Sequence, residues 1–149
     1  LPPELHDYVV RHTVRETDLQ RRLRQETRST FDAEMQIAPE QAQFFRFLVR
    51  ALGVRRALEV GTFTGYSALA VAMELPPDGS LDCCDVSEEF TAMARRYWEE
   101  AGVADRIRLH IGPGAETLGR LLREGGPGQY DFAFIDADKT GYPGYFRQC

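Results

Sequence analysis

Three short stretches of the chain hold residues whose types and spacing could do chemistry. Asp136-Ala137-Asp138-Lys139 places two carboxylates and an amine within four positions, directly after the apolar run Phe132–Ile135. Carboxylate oxygens suit a hard cation, Mg2+ first, with Ca2+ or Mn2+ as alternatives. A cation lowers the pKa of a hydroxyl that it binds, and a lysine beside it can take the proton. The same four residues could instead be a solvated loop of charges. The second stretch is Leu58-Glu59-Val60-Gly61-Thr62-Phe63-Thr64-Gly65-Tyr66-Ser67. Glycines at 61 and 65 would let a ligand approach the backbone closely. Their spacing is GxxxG rather than GxGxxG, which speaks against the pyrophosphate cradle of NAD or FAD. Such a glycine can also be no more than a turn. Asp85 is the third feature: an acid at the end of a strand can accept hydrogen bonds from both ribose hydroxyls, or can simply cap the next helix. Together the glycine turn and this acid describe an adenosine site. A sulfonium cofactor, positively charged and without phosphates, explains the missing phosphate loop.

Each of these stretches needs an element to hold it. Arg56–Val60 reads as a strand and residues 66–75 as an Ala-rich helix, so the glycine turn lies between them. Pro76-Pro77-Asp78-Gly79 is a turn before a strand at 81–86, which brings Asp85 to that strand's end. Ser87 can N-cap a helix over 88–101, with Gly102 where a C′ glycine belongs. A third strand at Ile107–Ile111, a helix at 116–123 and a fourth strand at 130–135 follow. This alternation implies βαβ units and a parallel sheet, with sites expected at the strands' carboxyl ends.

Residues 1–53 read as helices. Pro2 and Pro3 suit a helix start, with Leu5, Tyr8, Val9 and His12 at helical spacing. A polar helix spans 16–30. A third runs from Pro39 to near Gly53, with Gln41, Phe44, Phe45, Leu48 and Leu52 as its apolar stripe. Six arginines between positions 11 and 28 look like a basic stripe, but seven acids are interleaved over residues 1–36. A solvated face is the better reading.

The net charge of −5 gives no pull toward nucleic acid or an anionic membrane surface. No apolar run approaches the roughly 20 residues of a membrane span. Cys83, Cys84 and Cys149 show no CxxC spacing, and an odd count without a framework suggests unpaired thiols in a reducing, cytoplasmic setting. The chain opens on Leu1 rather than Met, so further sequence is expected before it.

The stretch Met35-Gln36-Ile37-Ala38-Pro39-Glu40-Gln41-Ala42-Gln43-Phe44, followed by the glycine turn and then Asp136-Ala137-Asp138-Lys139, resembles the cation-dependent O-methyltransferases. That family includes the caffeoyl-CoA and catechol O-methyltransferases, and the resemblance runs over essentially the whole chain. It implies a Rossmann-like fold dependent on S-adenosylmethionine: a doubly wound, mostly parallel α/β sheet with N-terminal helices over the cofactor. It also implies S-adenosyl-L-methionine and a divalent cation as cofactors, a small catechol-like or phenylpropanoid-like phenol as substrate, and a homodimer. By position, Met35 and Ile37 would lie over the cofactor. Glu59 and Gly61 would hold its amino-acid end, with Thr62 and Phe63 beside it and Ser67 bonded to its carboxylate. Asp85 would hold the ribose, while Val86 and Gly114 would meet the adenine. Asp136 would ligate the metal next to cofactor and substrate, Asp138 would lie beside the substrate, and Lys139 would be the catalytic lysine.

The chain departs from the family pattern in three places. Relatives often have Ala where this chain has Gly114, and many continue Asp-Asn-Tyr where it has Thr140-Gly141-Tyr142. The family also continues past the fourth strand with a fifth that carries an Asp-Asn pair of metal ligands. Residues 1–149 are therefore expected to be one methyltransferase domain cut short: helices over 1–53, and over 54–149 the first half of the core with the edge of strand four uncovered. Two other readings remain. One is a methyltransferase-like binding module without turnover, the other a nicotinamide-dependent oxidoreductase, which the GxxxG spacing disfavours.

Overall fold

The structure, a computed structural model, describes residues 2–30 and 32–149; Leu1 and Phe31, and with Leu1 the reading of the chain's start, lie outside that description. Three helices lead: α1 (Pro3–Thr13), α2 (Asp18–Thr27) and α3 (Pro39–Leu52). Pro3 and Pro39 stand in first turns, where a fixed φ suits the helix and the missing N–H has no partner to lose. α2 is shorter than its polar stretch because Thr17 caps it, with Gln20 closing a capping box. Glu16 is thereby left outside the helix.

The expected apolar stripe of α3 is corrected, while α1 forms where the spacing put it. No residue of α1 is buried, so Leu5, Tyr8, Val9 and His12 enter no core; α1 rests on α3. On α3 the buried residues are Ala42, Phe45 and Val49, whereas Gln41, Phe44 and Leu52 are exposed and Leu48 is half-buried. The sheet selects this face: the Phe45 ring lies 4.7 Å from Phe134 and 5.7 Å from Phe132, centroid to centroid. Apolar residues occur nearly all round α3, and their spacing alone left the orientation open.

The core then alternates: β1 (Arg56–Val60), α4 (Tyr66–Ala72), β2 (Ser80–Asp85), α5 (Glu88–Glu100), β3 (Ile107–Ile111), α6 (Gly114–Gly125), β4 (Phe132–Ile135) and α7 (Tyr142–Gln148). α4 stops at Ala72, short of position 75, and α6 extends past both expected ends. β4 starts two residues late because Asp131 turns back to accept the Arg55 and Arg56 amides, each at 2.9 Å. All strand pairs are parallel, in the order β3-β2-β1-β4. β4 pairs with β1 alone and forms one edge of the sheet, as expected.

Period-two alternation gives the sheet two apolar faces. Ala57, Leu81, Cys83, Phe132 and Phe134 meet α3, α4 and α5, while Leu58, Val60 and Cys84 meet Leu118 of α6 and Tyr145 of α7. All seven residues of α4 are buried, and its alanines let it sit close between the sheet and the N-terminal helices. Glu16 ties those helices down, accepting both Arg24 nitrogens at 2.8 Å and the Tyr66 hydroxyl at 2.6 Å. Burial works against its charge, but the bonds from Arg24 and Tyr66 outweigh it and hold the carboxyl below its ordinary value.

Gly65, which opens α4 at φ +82°, is the tightest packing point of this layer. A Cβ there would lie 2.5 Å from that of Ala94 and 2.9 Å from the Trp98 ring. Gly65→Ala combines backbone strain with overpacking and should cost roughly 2–4 kcal/mol. Urea unfolding measures this; an unchanged midpoint would show that the Trp98 contact is not tight.

Candidate active site

The strand order reverses between β1 and β4: the chain steps outward through β2 to β3, then returns to the other side of β1. At such a switch point the connections leave in opposite directions and open a crevice beyond the strands' carboxyl ends. A cavity of about 630 Å3 lies there, and all four strand ends contribute to it. Met35 and Ile37 line it from the segment between α2 and α3. The turn after β1 adds Gly61, Thr62, Phe63 and Ser67, and the end of β2 adds Asp85 and Val86. Gly114 enters from the start of α6, and Asp136, Asp138 and Lys139 follow β4. Glu59 is the one expected site residue that does not reach the wall; it lies beneath, on the face shared with Ala57.

The turn after β1 is held by backbone geometry. Gly61, Phe63 and Gly65 all have positive φ, at 95°, 52° and 82°. Phe63 is the costly member, since a side chain disfavours that region. A Cβ on Gly61 would fall 2.2 Å from the Asp136 carbonyl oxygen, so only glycine lets β4's end pass so close. Asp85 clamps the turn: one carboxylate oxygen accepts the Thr62 and Phe63 amides at 2.8 and 2.7 Å, and the other accepts that of Ser87 at 2.8 Å. It does not cap α5; the Ser87 hydroxyl does, accepting from the Phe90 amide. Phe90 packs edge-on against Phe63, 4.6 Å between centroids, and also lines the cavity. Its place one turn into the capped helix was the sequence signal for it, and that signal passed unused.

Glu59 is 1% exposed, and among the described residues neither of its carboxylate oxygens has a hydrogen-bond partner. Burial pushes its pKa up to about 8; the nearby Ser67 and Thr62 hydroxyls offset only part of this, and neither completes a bond to it.

After β4 the charges are interlocked. Asp136 accepts from the Lys139 ammonium and the Tyr142 hydroxyl, both at 3.0 Å, and Lys139 also donates to Tyr142 at 2.6 Å. Lys139 therefore pairs with Asp136, not with Asp138, and its hydrogen bonds to Tyr142 and Asp136 raise its pKa. Asp138 accepts from the Tyr145 hydroxyl, from Thr140 at 2.8 Å and from the Gly141 amide at 2.7 Å. These bonds, Tyr145's first, hold its carboxyl below the usual range. Neither tyrosine was assigned a role from the sequence, although three-residue spacing on the short helix puts both on the side of the acid pair.

These residues fit the cofactor that the sequence suggested. A glycine turn that a Cβ would fill and an unpartnered buried carboxylate beneath it suit a ligand with a close-lying cationic end. The fit to a metal is partial. Among the described residues no three His, Cys, Asp or Glu side chains converge, and Asp136 offers a single carboxylate.

The parallel sheet, its switch point and this glycine turn make a Rossmann-like α/β domain, the fold of its O-methyltransferase neighbours. The family model for O-methyltransferases matches residues 10–149, and the chain belongs to that family. It is 38% identical to the mouse catechol O-methyltransferase domain-containing protein 1, across 100% of this chain and 58% of that protein. It is 40% identical to tricin synthase 1 of Oryza sativa subsp. japonica, across 97% of this chain and 60% of that one. Among solved structures, the O-methyltransferase TomG of Streptomyces achromogenes in complex with SAM superposes with a TM-score of 0.88, at 31% identity over 97% of this chain and 65% of that one. An O-methyltransferase from Bacillus cereus in complex with SAH gives a TM-score of 0.88 at 28% identity, over 97% of this chain and 66% of that one. The chain thus spans about three fifths of the length of the curated relatives it matches.

The buried acid makes stability depend on pH. Between 4.5 and about 8, Glu59 holds a proton in the folded state that the unfolded chain releases. Folding takes up a proton in that window, so stability falls as pH rises through it. Glu59→Gln, neutral at every pH, should flatten that part of the profile. Unfolding free energies measured across the window decide it, and coincident profiles for the two proteins would refute a protonated Glu59.

Proposed function

We propose that the whole protein is an S-adenosylmethionine- and divalent-cation-dependent O-methyltransferase acting on one hydroxyl of a small catechol-like or phenylpropanoid-like phenol. The observation that carries this is one continuous cavity joining the Asp85-clamped turn to Asp136, Asp138 and Lys139. The complexes of TomG with SAM and of the Bacillus cereus enzyme with SAH support the choice of cofactor. In this reading residues 1–149 belong to one domain, helices over 1–53 and the first half of the core over 54–149. Mg2+ as the cation, a homodimer and a cytoplasmic location belong to the same proposal; among the described residues no helix is long and apolar enough to cross a membrane.

Gly61, Thr62 and Ser67 hold the cofactor's amino-acid end, with Phe63 beside it and Glu59 beneath, which the arriving ammonium would ionise and so turn into its counter-charge. Asp85 keeps one acceptor position for a ribose hydroxyl beside the three amides it already accepts, Val86 and Gly114 flank the adenine, and Met35 and Ile37 close over the top. The reaction forms an O–C bond to the acceptor as the sulfonium S–C bond breaks. The sulfonium is already reactive, so these residues contribute chiefly by holding nucleophile and methyl in line. A bound divalent cation supplies acidification of the acceptor hydroxyl, and Asp136 is the carboxylate this chain offers it. With Asp136 so committed, Lys139 loses its counter-charge, which favours the neutral amine that can take the hydroxyl's proton. Asp138 lies beside the acceptor.

Calorimetry should show binding of S-adenosylmethionine and its demethylated product but not of NAD; the reverse pattern would sink the reading. Asp85→Ala should weaken cofactor binding at least tenfold, since charge-assisted hydrogen bonds are worth about 1.5–3 kcal/mol each. On the full-length protein, catechol methylation should stop in chelator and return with Mg2+. Lys139→Met should lower kcat by about 10²–10⁴, the range of a lost general base, with cofactor affinity nearly unchanged. Turnover that persists in chelator removes the cation, and a loss below about tenfold removes the lysine as base.

A further inference from the structure

Tyr145 is 7% exposed, lines the cavity, and sits on α7 between two glycines. A Cβ on Gly141 would lie 2.5 Å from the ring's Cε2 and Cζ and 2.7 Å from its oxygen; one on Gly114 would lie 3.1 Å from Cε1. Gly141 has φ −78°, and Gly114 opens α6 without a positive φ, so neither position needs glycine for its backbone. What the missing Cβ atoms supply is room for this ring. Val60 and Leu118 pack in the same cluster and leave the ring little space to retreat. At its far end the hydroxyl donates to Asp138 Oδ1, while Thr140 and the Gly141 amide occupy Oδ2.

A carboxylate offers about four acceptor positions. Three donors are counted on Asp138, so one position remains on a group that faces the cavity. We propose that Tyr145 is a positioning residue that fixes Asp138 to receive the O–H of the acceptor's second hydroxyl, and that Gly114 and Gly141 form its seat. The inference rests on the O-methyltransferase reading.

The test uses the full-length protein. Tyr145→Phe keeps the ring in its seat and removes the bond to Asp138. The KM for a catechol should rise about tenfold, the effect of one hydrogen bond to a charged group. The cofactor's Kd, read by calorimetry, should stay within about twofold. An unchanged catechol KM, or a matching loss of cofactor affinity, overturns the positioning role. The seat is read separately by thermal unfolding, which needs no turnover. Gly141→Ala should lower Tm when Tyr145 is present and cost little in the Tyr145→Ala background; equal losses in both backgrounds overturn the seat. A wild-type protein that methylates no phenol at all would defeat the functional reading, and with it the role of Asp138, while the unfolding cycle would still judge the seat.

Discussion

The site depends on how closely the ends of β1 and β4 pass each other. The Asp136 carbonyl oxygen occupies the space where a Cβ on residue 61 would be, and the Asp136 amide donates to the Val60 carbonyl at 2.8 Å. These two backbone facts join the glycine turn to the acid pair. Without the first the turn could not close under β4, and without the second β4 would not deliver Asp136 at that height. The glycine turn, Asp85 and the acid pair meet in one cavity, because in a parallel sheet all strands end on the same side. Phe63's unfavourable φ is a consequence, since the backbone must curl twice in four residues to reach the start of α4.

Three deeply placed acids show how such a fold sorts charge. Asp82, 1% exposed, is held by Arg108 at 2.6 and 2.9 Å, by His110 at 2.8 Å and by the Tyr130 hydroxyl at 2.9 Å. Burial opposes its charge, but those bonds leave its carboxyl below the ordinary value. Glu16 is paired in the same way with Arg24 and Tyr66. Both are satisfied within the chain, and they hold β3 and the N-terminal helices in place. Glu59 has the same kind of depth and, among the described residues, no partner. A buried carboxylate that the fold leaves unpaired is costly, and few are retained without a reason. In the proposed function a cationic ligand end above it supplies one.

Much of this was legible in the sequence, and the failures have a common physical form. Strands, glycine turns and caps are local, so β1, β3, the Ser87 cap and the Gly53 and Gly102 terminations were readable from neighbouring residues. Orientation is not local. Phe44 and Phe45 are equivalent until β4 arrives to bury one of them. The same limit explains the site. Asp85 was found as an acid at a strand end, but its clamp on the Thr62 and Phe63 amides needs β1 and β2 to pair. Tyr142 and Tyr145 carried no assigned role because aromatic residues on a short helix are usually packing; here both hydroxyls end on the acids that follow β4.

The two halves of the cavity are built with different stiffness. The cofactor half rests on β1 and β2, central strands in register from Arg56 opposite Ser80 to Val60 opposite Cys84, and its turn is locked by amide bonds to one carboxylate. The acid pair hangs from β4, a four-residue edge strand, and its side chains are held by the seven-residue α7. A helix that short has little stability of its own, so its place comes from side chains: the Tyr145 ring against Gly114 and Gly141, and the Tyr142 hydroxyl on Asp136. Gly114 and Gly141 are also two positions where this chain departs from the family pattern. One ring accounts for both departures, which makes them a single packing solution rather than two independent losses of side chain. The acid pair after β4 is therefore the part of the site whose geometry depends most on individual side chains, and the glycine turn after β1 the part that the backbone already determines.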